Sequence, residues 1–275
     1  MAVLKKRRED MKLKSALVCA AVFFMSSWVF AQDAAWEFEG RYWMPDLNAK
    51  AKIEKSSIGS DIDFRSDLGI KDEDFPEGRL IWNVGPDSSI RIFYTQAKYE
   101  GDQAVARSID FNGKTYTAGT AVSSNLDLQY FGLGWIWQFL NAGDEKFKLG
   151  TILELKGVAG KASLEAQALA FSESEDFIGG LPTAGLALEL NPFKRSAPYE
   201  KKGWWKGLKL YAEASGMSAG EYGYFIDSEA GVKLAPYKYF SISGGYRYVS
   251  LKAEDEPDYA KIELKGPFVG ASIRF

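Results

Sequence analysis

The chain has 275 residues, with 34 Lys and Arg against 37 Asp and Glu, a formal net charge of −3, a single cysteine and no histidine. This balance excludes a nucleic-acid partner, because a phosphate-binding face needs an excess of Lys and Arg. The absent histidine excludes catalysis that uses an imidazole as base or orienter, and any transition-metal site built on histidine.

The first predicted element is an export signal over residues 1–31. Lys5, Lys6, Arg7, Arg8, Lys12 and Lys14 make a positive region, and a largely apolar stretch follows from Ser15 to Phe30. Val29 and Ala31 suit the pocket of a signal peptidase, so cleavage is expected between Ala31 and Gln32. Met11 is an alternative start. A retained anchor is the competing reading, but the apolar core is short for a bilayer that needs ~20 helical residues. Cys19 lies in this segment behind Val18, which does not suit a lipoprotein signal. Residues 32–275 therefore hold no thiol and no disulfide. They carry a net charge of −7 and contain no linker, and they read as one domain.

From there on the dominant period is two, which puts successive side chains on opposite faces of a strand. Ten strands are predicted near 35–46, 75–85, 89–110, 115–140, 146–170, 177–191, 207–217, 222–236, 238–253 and 258–275. Phe147, Leu149, Leu153 and Leu155 share one face, while Lys148, Ile152, Glu154 and Lys156 share the other. Leu208, Leu210, Ala212 and Ala214 oppose Lys209, Tyr211, Glu213 and Ser215 in the same way. Gly85-Pro86-Asp87 and Pro236-Tyr237-Lys238 read as tight turns, and Asn112-Gly113 as a two-residue hairpin, since a type I′ turn needs positive φ twice. The third to fifth strands exceed the ~9–11 tilted residues that cross a bilayer and are expected to rise beyond it. Residues 46–74 read as a loop whose acids, Asp61, Asp63, Asp67, Asp72, Glu73 and Asp74, are solvated. Oxygen-rich loops also bind divalent ions, but the spacing fits no EF-hand. Asn191 to Lys206 is a basic connection carrying the pair Trp204-Trp205, read as an interface anchor.

The fold class expected is all-β: a single antiparallel up-and-down transmembrane barrel of about ten strands, with eight as the alternative. Three features separate it from a soluble sandwich. Outward faces end in aromatics, Trp82, Tyr94, Trp135, Trp137, Phe139, Tyr246 and Tyr248, which settle at bilayer interfaces. Inward faces carry charges of both signs with little apolar filling. The chain ends on the alternating set Val269, Ala271, Ile273, Phe275, which resembles the C-terminal signal read by the outer-membrane barrel assembly machinery.

Several stretches resemble a family of small bacterial outer-membrane β-barrel proteins of the OmpA/OmpW size class, without assigned activity. They are Asp67-Leu68-Gly69 through Pro76, Glu77 and Trp82; Gly216 to Gly223 with Phe225-Ile226-Asp227; Gly245-Tyr246-Arg247-Tyr248; and Leu264-Lys265-Gly266-Pro267-Phe268. The resemblance implies the barrel fold and the outer-membrane location. It carries no catalytic residue.

The chemistry-bearing residues fall on the inward face. The acids are Glu37, Glu39, Glu77, Glu154, Glu189, Glu213, Asp227 and Glu229; the bases are Arg41, Arg79, Arg91, Lys148, Lys156, Lys209, Lys233, Arg247 and Arg274. In so narrow a barrel these side chains cross the lumen, and buried charges are tolerated when paired and hydrogen-bonded. The expected role is non-enzymatic, either structural or a narrow pore with a charge-paired lumen. Uptake of a small apolar or amphipathic solute is the second reading, and an enzyme working through carboxylate, Lys, Tyr or Ser groups the third. No cofactor and no metal are expected. The partners expected are outer-membrane lipids and lipopolysaccharide, and the assembly machinery during biogenesis, for a monomeric chain.

Overall fold

The computed structural model describes residues 35–52, 54, 59–111, 114–143, 145–166, 171–193 and 207–275. The export signal, the Asn112-Gly113 turn and the Trp204-Trp205 segment lie outside the described residues.

Fourteen strands are described: β1 Trp36–Trp43, β2 Asp46–Lys52, β3 Ile62–Asp63, β4 Phe75–Gly85, β5 Ser88–Ala104, β6 Ile109–Phe111, β7 Lys114–Tyr116, β8 Ala121–Ala142, β9 Phe147–Ala166, β10 Phe171–Leu190, β11 Leu208–Ser218, β12 Gly223–Tyr237, β13 Phe240–Asp255 and β14 Asp258–Arg274. Ten of them form a ring in the order β1-β4-β5-β8-β9-β10-β11-β12-β13-β14, and β14 closes it by pairing with β1. Every pairing is antiparallel. The seam runs from Glu37 opposite Arg274 to Trp43 opposite Phe268. It is extended by the mutual hydrogen bonds of Trp36 and Phe275, at 3.0 and 2.9 Å. Closure leaves no free edge at the seam, which is what a sheet in hydrocarbon requires. The ring has ten strands, so the eight-strand alternative falls.

Outward and inward residues alternate as the period of two dictates. On β5, Ile92 and Tyr94 are about half exposed, while Arg91, Phe93 and Thr95 are buried between them. On β8 the outward run is Phe131, Leu133, Trp135, Trp137 and Phe139. At ~3.3 Å per residue and a tilt of ~40°, that run stands roughly 20 Å from first to last residue, most of the apolar band of a barrel in lipid.

The end where Trp36 and Phe275 meet, the termini of the described barrel, has short turns at Pro86-Asp87 and Lys238-Tyr239. The opposite end differs from the sequence expectation in three ways. First, residues 46–74 are not a plain loop. Pro45 breaks β1, having no N–H to give a ladder, and the chain resumes as β2 along the same partner, with Lys52 opposite Tyr259 and Asp46 opposite Lys265 on β14. Second, β5 stops at Ala104, and a small separate hairpin, β6 with β7, stands between it and β8. The single long hairpin expected across 89–140 is thus interrupted. Third, the inward face at this end is apolar, against the expectation of little apolar filling. Ile62, Phe64, Leu68 and Ile70 from the first connection and Val105, Ile109, Phe111 and Tyr116 from the second are buried with Tyr99, Val122, Leu126 and Leu164 of the wall. Alternation marks which face a wall residue takes, but it is silent on connections that fold back over the mouth.

This cap is seated closely. Gly101 faces inward on β5, where a side chain would collide with the Leu68 carbonyl and the Ile70 amide. Ser124 donates to that same Leu68 carbonyl at 3.2 Å. Gly69 takes φ +69°, a region that favours glycine. Below the cap, Phe225 is fully buried, with Tyr130 at 6.1 Å between ring centroids and the Lys156 ammonium 5.4 Å from its ring. Phe225→Ala is expected to lower unfolding stability by about 3–5 kcal/mol through lost transfer energy and the cavity left behind. Denaturant unfolding of the variant in lipid vesicles checks this.

Candidate functional site

The middle of the barrel is a belt of ion pairs supplied by alternate residues of most wall strands. Glu229 on β12 accepts from Arg41 on β1 at 3.0 Å and from Arg79 on β4 at 2.7 Å. Arg79 also holds its strand neighbour Glu77. Arg247 on β13 reaches Asp227 at 2.8 Å and donates to Glu77 as well. Asp227 takes two further bonds, from Lys156 at 2.8 Å and from the Tyr130 hydroxyl at 2.6 Å. Lys156 returns to Glu154 at 2.9 Å. Arg91 spans Glu154 at 3.0 Å and Glu213 at 2.6 Å. Glu39 completes the set, 3.2 Å from Arg41 and accepting from the Ser243 hydroxyl at 2.8 Å.

A second, wetter tier lies nearer the chain termini. Glu37 pairs with Lys233 and, at 2.7 Å, with Arg274. Glu189 pairs with Lys209 at 2.6 Å, and Lys148 stands opposite Glu189 in register. The lumen residues read from the sequence therefore separate into these two groups.

The belt is dry because of what lies against it. Glu77, Arg79, Lys156 and Arg247 are buried almost completely. The Arg247 guanidinium lies 5.0 Å from the Trp43 ring, 5.5 Å from Tyr130 and 5.8 Å from Phe93; Arg41 lies 4.5 Å from Phe268. These rings shield the cations and interact favourably with them, which joins the belt to the apolar cap. Between Arg79, Arg91, Glu154, Glu213 and Asp227 the remaining gap is about 10 Å³, room for at most one water. Tyr130, Tyr211, Ser215, Ser243, Trp43, Phe93 and Phe268 were not singled out by charge. They sit on the same alternating face as the charges, so extending that face to uncharged residues would have found them.

Where the acids of residues 46–74 were expected to be solvated, Asp67 is buried. It receives Arg107 from the second connection at 2.7 Å and the Asp63 amide at 2.9 Å. Ser60 and Asp110 add a reciprocal pair of bonds, at 3.2 and 2.8 Å, between the two connections. Partial burial works against the charged form of Asp63, but the amides of Ser66 and Arg65 and the Lys50 ammonium outweigh it and hold that carboxyl below its usual range. Among the described residues no group of three or more acids, histidines or cysteines is placed to hold a metal ion.

On the wall, Trp36 stacks on Trp82 at 5.3 Å and Trp135 on Trp137 at 6.3 Å, both near the end with the termini. Tyr246 and Tyr248 stand toward the other end; Tyr246 is exposed, while Tyr248 is half-buried and reaches Glu263 at 3.5 Å. Val269, Ile273 and Phe275 are exposed on the outer face of β14, and Ala271 lies on the same face.

No known family profile matches the chain, and no curated protein matches it. Among solved structures it is similar to the outer-membrane protease OmpT of Escherichia coli, with a TM-score of 0.53 at 10% identity over 91% of this chain and 99% of that one. Lesser likenesses are to the translocator domain of the autotransporter NalP of Neisseria meningitidis, with a TM-score of 0.44 at 10% identity over 98% of each chain. The attachment invasion locus protein Ail of Yersinia pestis gives 0.37 at 13% identity over 89% of this chain and all of that one. The chain thus has the fold of a bacterial outer-membrane β-barrel.

Removing one member of a buried pair leaves its partner charged and unsolvated. Arg247→Ala leaves Asp227 with only Lys156 and Tyr130, and Glu77 with only Arg79, as their belt partners among the described residues, and this loss of compensation is expected to cost about 3 kcal/mol. Lys161→Ala, which removes an exposed pair with Asp176 at 3.8 Å, is expected to cost less than about 1 kcal/mol. The temperature at which heat-modifiable gel mobility is lost should drop for the first and hold for the second.

Proposed function

We propose that the chain is a monomeric, non-enzymatic barrel of the bacterial outer membrane, with a lumen closed to solutes and a structural charge belt inside it. The observation that carries this reading is the gap of about 10 Å³ left within the belt. A gap of that size gives a polar solute no room to pass between these side chains. An apolar solute entering from the long-loop end meets a cap in which the space between Ile62, Phe64, Leu68, Phe111 and Leu164 is also about 10 Å³. Between the two readings of the lumen made from the sequence, structural filling and narrow pore, this packing favours filling.

The same packing argues against catalysis in the lumen. A general acid or base must reach a bound substrate, and here the belt carboxylates are already held by Arg, Lys, Tyr or Ser donors. Membrane residence is supported by the outward apolar run on β8, by the tryptophans near the end with the termini and by the shared fold. The exposed alternation Val269, Ala271, Ile273, Phe275 is suited to recognition by the assembly machinery, and residues 1–31 to cleaved export. The long-loop end then faces the outside, because bacterial barrels keep their short turns in the periplasm.

Reconstituted into planar bilayers, the wild-type chain is expected to give no steady single-channel steps at 100 mV. Steady, uniform steps from the unsubstituted protein would overturn the closed-lumen reading.

A further inference from the structure

The outer wall carries a groove that the lumen reading does not use. Register places Gly40 on β1 directly between Gly78 on β4 and Ala271 on β14, all on the outward face. At both glycines the space a side chain would fill is open. The outward Gly157, by contrast, is covered by the Phe131 ring. The result is a groove of about 930 Å³. Phe38, Tyr42, Tyr94 and Val269 flank it, each about half exposed.

Its height on the wall is set by β5. Tyr94 is the last large apolar residue on the outward face of that strand, and Gln96 and Lys98 follow it. The groove therefore begins in the apolar band and ends at its upper boundary, where Lys98, Glu73 and Asp74 line the rim. The surface around it faces hydrocarbon, and a dent in such a surface is filled by acyl chain, because a void forfeits dispersion contacts on one side.

The geometry points to a lipid site: one acyl chain of a lipid A molecule lies over Gly40 and Gly78, with its phosphate at the rim. This rests on the membrane reading above, which puts the long-loop end in the outer leaflet, where lipopolysaccharide resides. The rim suits that headgroup. Lys98 is exposed and, among the described residues, pairs with Asp127 at the long distance of 3.8 Å, so its ammonium can turn to meet a phosphate. Glu73 and Asp74 are exposed carboxylates that a divalent ion joins to the same phosphate. The apolar flank supplies affinity along the chain, and the rim supplies the choice of lipid.

The test uses the whole mature chain in vesicles of phosphatidylethanolamine with lipid A, extracted in mild detergent and weighed by native mass spectrometry. The wild type is expected to retain one lipid A. Gly40→Leu with Gly78→Leu fills the groove with side chains that meet open space, and is expected to cut retention at least tenfold while heat-modifiable mobility is unchanged. Lys98→Ala is expected to lower retention of lipid A several-fold but not that of its dephosphorylated form, and it serves if the double variant does not fold. Equal retention by wild type and the variants that fold overturns the site, as does phosphatidylethanolamine retained in place of lipid A. Failure of the folded wild type to float with vesicles overturns the membrane reading itself, and the site with it.

Discussion

Charge placed where water is scarce must find charge, and that constraint organises this barrel. Arg41, Arg79, Arg91, Arg247 and Lys156 project into a lumen too narrow to hydrate them, and each is met by a carboxylate from a strand far away in sequence. Arg41 and Glu229 are 188 residues apart, and Arg247 and Glu77 are 170 apart. Such pairs form only when the ring has closed with the right register. A slip of one residue on any strand would turn its charges toward lipid and its apolar residues inward. The belt therefore acts as a register device as well as a filling.

The wall obeys the complementary rule. Each strand that crosses the apolar band presents one face to the belt and the other to hydrocarbon, and the change from apolar to polar on the outer face marks where the band ends. On β5 this falls between Tyr94 and Gln96, and the paired residues of β8 change at the same level, from Phe131 to Gln129. Above that level β8, β9 and β10 continue as a ribbon, and the two long connections fold inward over the mouth. The interior thus passes from wet ion pairs near the termini, through a dry belt, to an apolar cap. Aromatic rings at the junction, Trp43, Phe93, Tyr130 and Phe268, touch both the cations and the cap.

Much of the wall was legible beforehand. Period-two runs such as Phe147 to Leu155 and Leu208 to Ser215 locate ten strands to within a few residues along most of the chain, because a strand between lipid and a charged lumen has the sharpest possible difference between its faces. The charged inward residues were legible for the same reason. The cap was not. Ile62, Phe64, Leu68 and Ile70 lie among six acids in a stretch without a strand period, and only the closed ring provides the apolar space that buries them. Asp67 looked solvated because its partner Arg107 is 40 residues away on another connection.

Sequence alone determined where most strands run, the two faces of each strand and the near balance of lumen charge, since these follow from local alternation and composition; the choice of ten strands over eight waited on the closed ring. Tertiary structure decided which charges pair, how little space they leave, what covers the mouth, and that two glycines and an alanine from three strands lie side by side on the wall. Those outcomes depend on register and closure, and both are settled by contacts between residues that the sequence keeps far apart.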